Sequence, residues 1–246
     1  MRKIKSLTKI FILNAMDFKA MFIMTLILPV IFMYWNNYNL IGKEISDSRF
    51  YTMFFGYSAF ISVMHVVSGN NIGLLYYREN GFFKMFKYIT GSKYTVILSN
   101  FIAQYFTLLI SLLIFSVLCS ISFKIDTMLV CIIISLVNFI FIVIPTSVFF
   151  LWIPLLNARP ENISPFVTIF IIILTALANM NINSYLLLLN PIYLYSVFSS
   201  IILNIIKNEQ IDNSMLIMCI VTIFIYLVIG LFCSKKIDIN SKSNRV

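Results

Sequence analysis

Long apolar runs separated by short polar connections make up most of the chain. Residues 20–41, 51–76, 94–123, 128–156, 163–180 and 214–233 form six such runs. A helix needs about 20 apolar residues to cross the hydrocarbon of a bilayer. The pattern therefore predicts an all-α integral membrane protein with six transmembrane helices. Residues 185–206 are apolar enough for a seventh, but Asn190-Pro191 breaks them. They read as a re-entrant or interfacial pair of short helices before the last span. Ahead of the first run, residues 1–19 carry Arg2, Lys3, Lys5 and Lys9, with Ile4, Leu7, Phe11, Ala15 and Phe18 along one helical stripe. That combination predicts an interfacial helix leading into the membrane. A signal peptide also starts basic and then apolar, but Asp17 and Lys19 intervene and no Ala-x-Ala cleavage pattern follows.

The longest charged interruption, residues 76–94, stands between the second and third runs. It is too basic to lie within hydrocarbon and too short to be a domain. Read as a helix over 81–91, it puts Phe82, Phe83, Met85, Phe86 and Ile89 on one side, with Lys84, Lys87 and Tyr88 on the other. Its apolar side needs either the membrane surface or a groove on a partner protein, and periodicity alone cannot choose between them.

Composition narrows the class. The 246 residues are 61% hydrophobic and 11% charged, with mean hydropathy +0.96, more apolar surface than a soluble domain of this size can bury. Cys119, Cys131, Cys219 and Cys233 lie in or beside apolar runs and form no Cys-x-x-Cys pair, and His65 is the only histidine. No metal site follows from these residues. Neither a Gly-x-x-x-x-Gly-Lys-Ser/Thr phosphate loop nor a Gly-x-Gly-x-x-Gly fingerprint occurs, so nucleotide chemistry would belong to a partner.

The net charge of +9 follows topology rather than nucleic acid. With both termini and every second connection cytoplasmic, residues 2, 3, 5, 9, 19, 78, 84, 87, 93, 159, 235, 236, 242 and 245 lie inside. Only Lys43, Arg49, Lys124 and Lys207 are left for the other face, four of the 18 Lys and Arg. The positive-inside rule thus favours six crossings over seven.

The second run has an unusually polar far half, with His65, Ser68, Asn70 and Asn71 close together beside Gly69 and Gly73. Such residues serve either as helix-to-helix hydrogen bonds or as the lining of a translocation cavity. No Asp, Glu, Lys or Arg falls deep within a run, which disfavours a secondary transporter or ion channel and suits a passage for amphipathic or lipid-like cargo. Nothing in the sequence excludes a non-transporting membrane scaffold or sensor subunit.

Three features in order give the chain its likeness: the basic helix before the first run, Arg78-Glu79-x-Gly81 opening a short helix after the second, and Leu189-Asn190-Pro191 before the last. In this layout the chain resembles the ABC-2 type family of ABC transporter permeases across nearly its whole length. Gly91-Ser92 stands where the family usually has a small-residue or proline turn. The resemblance implies a permease without an ATP site of its own, paired with a second permease copy or a related permease and with ABC ATPase subunits that bind ATP and Mg. It implies that 81–91 is a coupling helix, with Phe82, Phe83, Met85, Phe86 and Ile89 seated in an ATPase groove and Glu79 pairing with a basic residue there. Asn190 and Pro191 become an outer gate. Within the family, the chain looks similar to compact exporters or immunity transporters of the bacterial cell membrane, whose cargo is amphipathic peptides such as phenol-soluble modulins or antimicrobial peptides.

Overall fold

A computed structural model of the chain describes residues 2–17, 19–41, 46–123, 127–180 and 185–241, with the backbone alone for residues 2, 16, 17 and 19–24. Lys43, Glu44, Lys124, Lys242 and Arg245, and the side chains of Arg2, Asp17 and Lys19, lie outside the described residues.

Among the described residues all regular structure is helical. Five helices are long and apolar enough to cross a membrane: Asp47–Glu79, Lys93–Ser122, Met128–Leu155, Pro160–Ala178 and Asn213–Lys236. The chain is an all-α membrane protein. In order, α1 covers Arg2–Asp17 and α2 Lys19–Asn36. The first long helix divides into α3 (Asp47–His65), a π-helical stretch Val66–Ile72 and α4 (Gly73–Glu79). Next come the short helix α5 (Phe82–Thr90) and α6 (Lys93–Ser122). The third long helix is built from α7 (Met128–Asn138), a π-helical stretch Phe139–Val143, α8 (Ile144–Phe149) and a 3-10 stretch Phe150–Leu155. The last helices are α9 (Pro160–Ala178), α10 (Pro191–Lys207) and α11 (Asn213–Lys236).

Helix ends depart from the sequence expectation where side chains intervene. The first run was expected to extend over 20–41, but α2 stops at Asn36. Asn37 closes it, its side-chain amide and backbone N–H both donating to the Met33 carbonyl, at 3.0 and 3.1 Å. The second run, expected over 51–76, becomes a helix from Asp47 to Glu79, and at its far end Arg78 and Glu79 find partners inside the protein. The fourth long helix, from the run expected at 163–180, starts at Pro160 rather than 163, since proline suits the first helical position, where no N–H is required. Residues 128–156 are not one regular helix. Pro145 and Pro154 lack the N–H that would bind the carbonyl four residues back, and the π-helical and 3-10 stretches absorb the mismatch.

The segment expected to break at Asn190-Pro191 does break there. A 3-10 turn, Tyr185–Leu189, leads to Asn190, whose side chain caps α10 by accepting from Ile192 N at 3.0 Å. The bend lies beside the middle of α11, where the Tyr226 hydroxyl donates to Leu189 O at 2.7 Å. From there α10 runs along α3 and α7. Asn138 donates to Ser199 at 2.9 Å, and the Lys207 ammonium ends 5.1 Å from the Tyr51 ring near the start of α3. Asn208, at φ 55°, stops the helix, and a short loop turns into α11. Asp212 caps α11; bonds from the Ser214 hydroxyl and the Met215 amide hold its carboxyl below the usual carboxylate range.

Two apolar clusters divide the molecule. The larger fills the bundle of α3, α6, α7, α9, α10 and α11, around Phe54, Phe115, Ile134, Leu194 and Tyr195. The smaller joins elements from across the sequence at one end: Leu7 and Phe11 of α1, Tyr77 of α4, Phe83 and Phe86 of α5, Val96 and Ile97 of α6, and Ile237 beyond α11. Polar bonds tie the same elements. Lys3 donates to Thr90 O at 3.2 Å, Lys93 to Lys235 O at 2.8 Å and Ile237 O at 3.3 Å. Three basic segments distant in sequence thus share one base layer, with Lys207 and Tyr51 at the opposite end.

At Gly230 the backbones of α8 and α11 touch. A Cβ there would stand 2.2 Å from the Val148 carbonyl oxygen, and backbone cannot swing aside. Gly230→Ala is expected to cost about 1–3 kcal/mol through overpacking. The check is thermal unfolding of the detergent-solubilised protein beside Gly56→Ala, where a Cβ meets nothing within 4 Å and the midpoint is expected to hold.

Candidate functional site

The most constrained region of the base layer is the elbow between α4 and α5. Gly81 and Gly91 bracket α5 at φ +77° and +84°, left-handed backbone that a glycine adopts without strain. Neither would clash with a neighbour if given a Cβ, so conformation rather than space calls for glycine there.

Just before the elbow, Arg78 is wholly buried, at 0% exposure. Its Nε donates to Glu79 Oε1 at 2.6 Å, its Nη2 to Leu156 O at 2.6 Å, and its Nη1 to Pro154 O. Glu79 forms the matching ion pair and accepts from the Ser241 hydroxyl at 2.8 Å on its other oxygen. Glu79 is therefore 6% exposed and engaged within its own chain, and is not presented outward as the sequence reading expected. The carbonyls Arg78 uses come from the 3-10 end of the third long helix and the residue after it, where no N–H four residues on lies in helical register.

The five apolar side chains expected on one face of α5 divide between two. Phe83 and Phe86 point into the protein with Thr90, on an i, i+3, i+7 stripe. Phe86 meets Phe11 edge-on at 5.3 Å and Tyr77 at 6.1 Å. Phe82, Met85 and Ile89 form the neighbouring stripe and stay exposed, as do Tyr88 and Lys84. Beside them a groove of about 470 Å³ runs between α1 and α5, lined by Ile10, Asn14, Tyr76, Tyr77, Phe82, Met85 and Phe86.

Tyr76 and Tyr77 also form one wall of a second cavity, of about 170 Å³, higher along the helix. Its lining includes Thr25 of α2, His65, Ser68, Gly69, Ile72 and Gly73 of the first long helix, Gln104 and Thr107 of α6, and Pro160 of α9. The His65 Nε2 lies 3.0 Å from Gln104 O and 2.9 Å from Thr107 Oγ1; the carbonyl accepts, so Nε2 carries a proton. The Thr107 hydroxyl also donates to Gln104 O, at 2.8 Å.

Of the four cavity candidates, His65 and Ser68 line this space. Asn70 and Asn71 do not: they turn to the far side of the helix, fully buried. Asn71 donates to Val66 O at 3.0 Å and Ser147 O at 3.3 Å, and Asn70 O accepts from Asn100 at 3.1 Å. Helical spacing gives the reason, since 65, 68, 69, 72, 73 and 76 fall on one stripe while 70 and 71 fall opposite. The outer-gate candidates, Asn190 and Pro191, are buried at the bend, where the Asn190 amide also donates to Leu174 O at 2.6 Å. Sequence reasoning missed Gln104, Thr107 and the burial of Arg78. The stripe Asn100, Gln104, Thr107, Ser111 at i, i+4, i+7, i+11 was there to be read.

Among the described residues no group of His, Cys, Asp and Glu could hold a metal ion. Compared with protein-family models, with curated proteins and with solved structures, the chain matches none.

Removing one partner of a buried ion pair strands the other charge, which costs about 3–5 kcal/mol, whereas replacing both by apolar residues of similar volume is close to neutral. Glu79→Ala is therefore expected to destabilise the protein by that amount, and the double variant Arg78→Met, Glu79→Leu to recover only part of it, since it removes both charges but leaves the Pro154 and Leu156 carbonyls without a donor. Denaturation of both variants in one detergent tests this; equal losses would contradict it.

Proposed function

We propose that the chain is the permease subunit of an ATP-driven exporter, an ABC-2 type transmembrane domain that moves amphipathic peptides or hydrophobic compounds out of a bacterial cell. The observation that carries this reading is the construction of α5. One flank is bolted to the transmembrane helices through Phe83, Phe86 and the Arg78 elbow, while Phe82, Met85 and Ile89 stand free for a partner. A helix built in this way takes a push from outside and delivers it inward. The partner is a separate ATPase that would bind ATP and Mg; a second permease copy and membrane lipid complete the assembly. Movement of α5 would bear on Phe11 and Tyr77, and through Arg78 on the carbonyls of Pro154 and Leu156.

In this reading α1 is the interfacial helix, α2 the first of six spans and the 185–206 segment re-entrant. Contacts support the last point, since the Leu189 bend reaches the middle of α11 and Lys207 returns to the end where α3 begins. The clustering of α1, α5 and the end of α11 in one basic layer supports cytoplasmic termini. Single cysteines at Lys84 and Lys235 are expected to react with an impermeant thiol reagent only from the cytoplasmic side, and one at Glu209 only from outside. Any exchange of sides defeats the topology.

For coupling, Phe82→Asp with Ile89→Asp is expected to abolish co-purification of a co-expressed partner ABC ATPase while leaving membrane insertion intact. Aspartates at Phe83 and Phe86 would instead disrupt the base layer and test folding alone. With the wild-type pair in liposomes, amphipathic peptides are expected to stimulate ATP hydrolysis. Retention of the ATPase by the double variant would exclude α5 as the coupling surface.

A further inference from the structure

The cavity beneath His65 has a chemistry and a position that go together. Among the described residues that line it none is Asp, Glu, Lys or Arg. Its walls carry neutral hydrogen-bonding groups, Ser68, Gln104 and Thr107 among them, set beside Ile72 and the tyrosine rings. At about 170 Å³ it matches the size of space, about 150 Å³, that takes a benzene ring inside a protein. The glycines keep it open: a Cβ on Gly73 would meet nothing within 4 Å, and one on Gly69 would press on the Gln104 amide oxygen at 2.6 Å. One wall leads out of the site. The Tyr77 ring lies 5.0 Å from Phe11 and 6.1 Å from Phe86, which roots α5 in the base layer.

We propose that this cavity is a cargo-sensing site that takes one uncharged, ring-sized group bearing a hydrogen-bonding substituent, and that Tyr77 and Phe86 report its occupancy to α5. The identity of the ligand as part of an exported cargo rests on the exporter reading above; binding itself needs no ATPase. A ligand ring in the cavity displaces Tyr77 against Phe86, and α5 shifts on its glycine joints. The outward stripe of α5 then presents differently to whatever engages it.

The test uses the full-length permease in phosphatidylcholine nanodiscs, with Lys84→Cys carrying an environment-sensitive fluorophore on the exposed side of α5. The probe is 4-ethylphenol, compared with ethylbenzene and with 4-ethylbenzoate. A saturable fluorescence change is expected with 4-ethylphenol, at least tenfold weaker affinity with ethylbenzene, and none with the anion. Gly73→Leu, whose Cβ meets nothing within 4 Å and whose side chain takes up space in the cavity, is expected to abolish the response. Gly69→Ala, which displaces the Gln104 amide from its place in the cavity wall, is expected to weaken it severalfold and serves if the larger change disturbs folding. Phe86→Leu is expected to keep binding by saturation-transfer NMR while the α5 signal falls at least threefold. A change that never saturates, that survives Gly73→Leu, or that is equal for ethylbenzene would assign the effect to the bilayer or to lipid chains and overturn the proposal. ATPase co-purification would be untouched by that failure. Conversely, failure of the exporter reading would leave the probe binding intact.

Discussion

A guanidinium shut away from water must find every hydrogen-bond partner inside the protein, and Arg78 imposes that condition on everything around it. Its partners are Glu79 and the carbonyls of Pro154 and Leu156, so the third long helix has to end in an unwound, carbonyl-bearing segment at that level. Glu79 in turn holds Ser241, which fixes the chain beyond α11 against the elbow. Lys93 fastens the same segment from the start of α6. One buried charge thus links four parts of the chain that hydropathy alone would leave independent, and the α5 elbow inherits its direction from them.

The bundle above the elbow is held differently. Its interior polar groups are uncharged and bridge helices: His65 to α6, Asn71 to the Ser147 carbonyl of α8, Asn138 to Ser199 of α10. Such contacts are worth about 0.6 to 2 kcal/mol each between membrane helices, enough to set register without locking it. Two of the helices joined in this way contain π-helical stretches, Val66–Ile72 and Phe139–Val143, and the Tyr105–Ser147 bond lies where they approach. A π-helical turn has poorer hydrogen-bond geometry than an α-helical one and often marks a place where a helix is used. The base layer is thus tied together by long-range side-chain contacts, and the two π-helical stretches lie above it.

That arrangement gives the exporter reading its physical content. A push on a short helix standing alone would be lost as rotation, but α5 is clamped by Lys3 at Thr90 and by Phe83 and Phe86 within the second apolar cluster. Force applied to its exposed stripe meets Tyr77 and Arg78 first. Both belong to α4, which continues through the first π-helical stretch into α3. The cavity beneath His65 lies along that path, between the clamped layer and the bundle above it.

Hydropathy by itself determined that the chain is an all-α membrane protein, where five of the six expected runs form long helices to within a few residues, and that a glycine-bracketed amphipathic helix follows the first of those five. Each of these depends on residues near one another in sequence, and the cost of burying an unpaired backbone group in hydrocarbon leaves few alternatives. The break at Asn190-Pro191 was legible for the same reason, because proline withdraws an N–H wherever it stands. Tertiary structure alone decided which stripe of α5 faces inward, that Arg78 and Glu79 close on each other and on distant carbonyls, and that His65 and Ser68 share a cavity from which Asn70 and Asn71 are turned away. Helical spacing does separate those two pairs, but only the position of α6 showed which side held the cavity. A helical wheel fixes the angle between side chains on one helix; what stands opposite each of them is set by contacts between residues far apart in the chain.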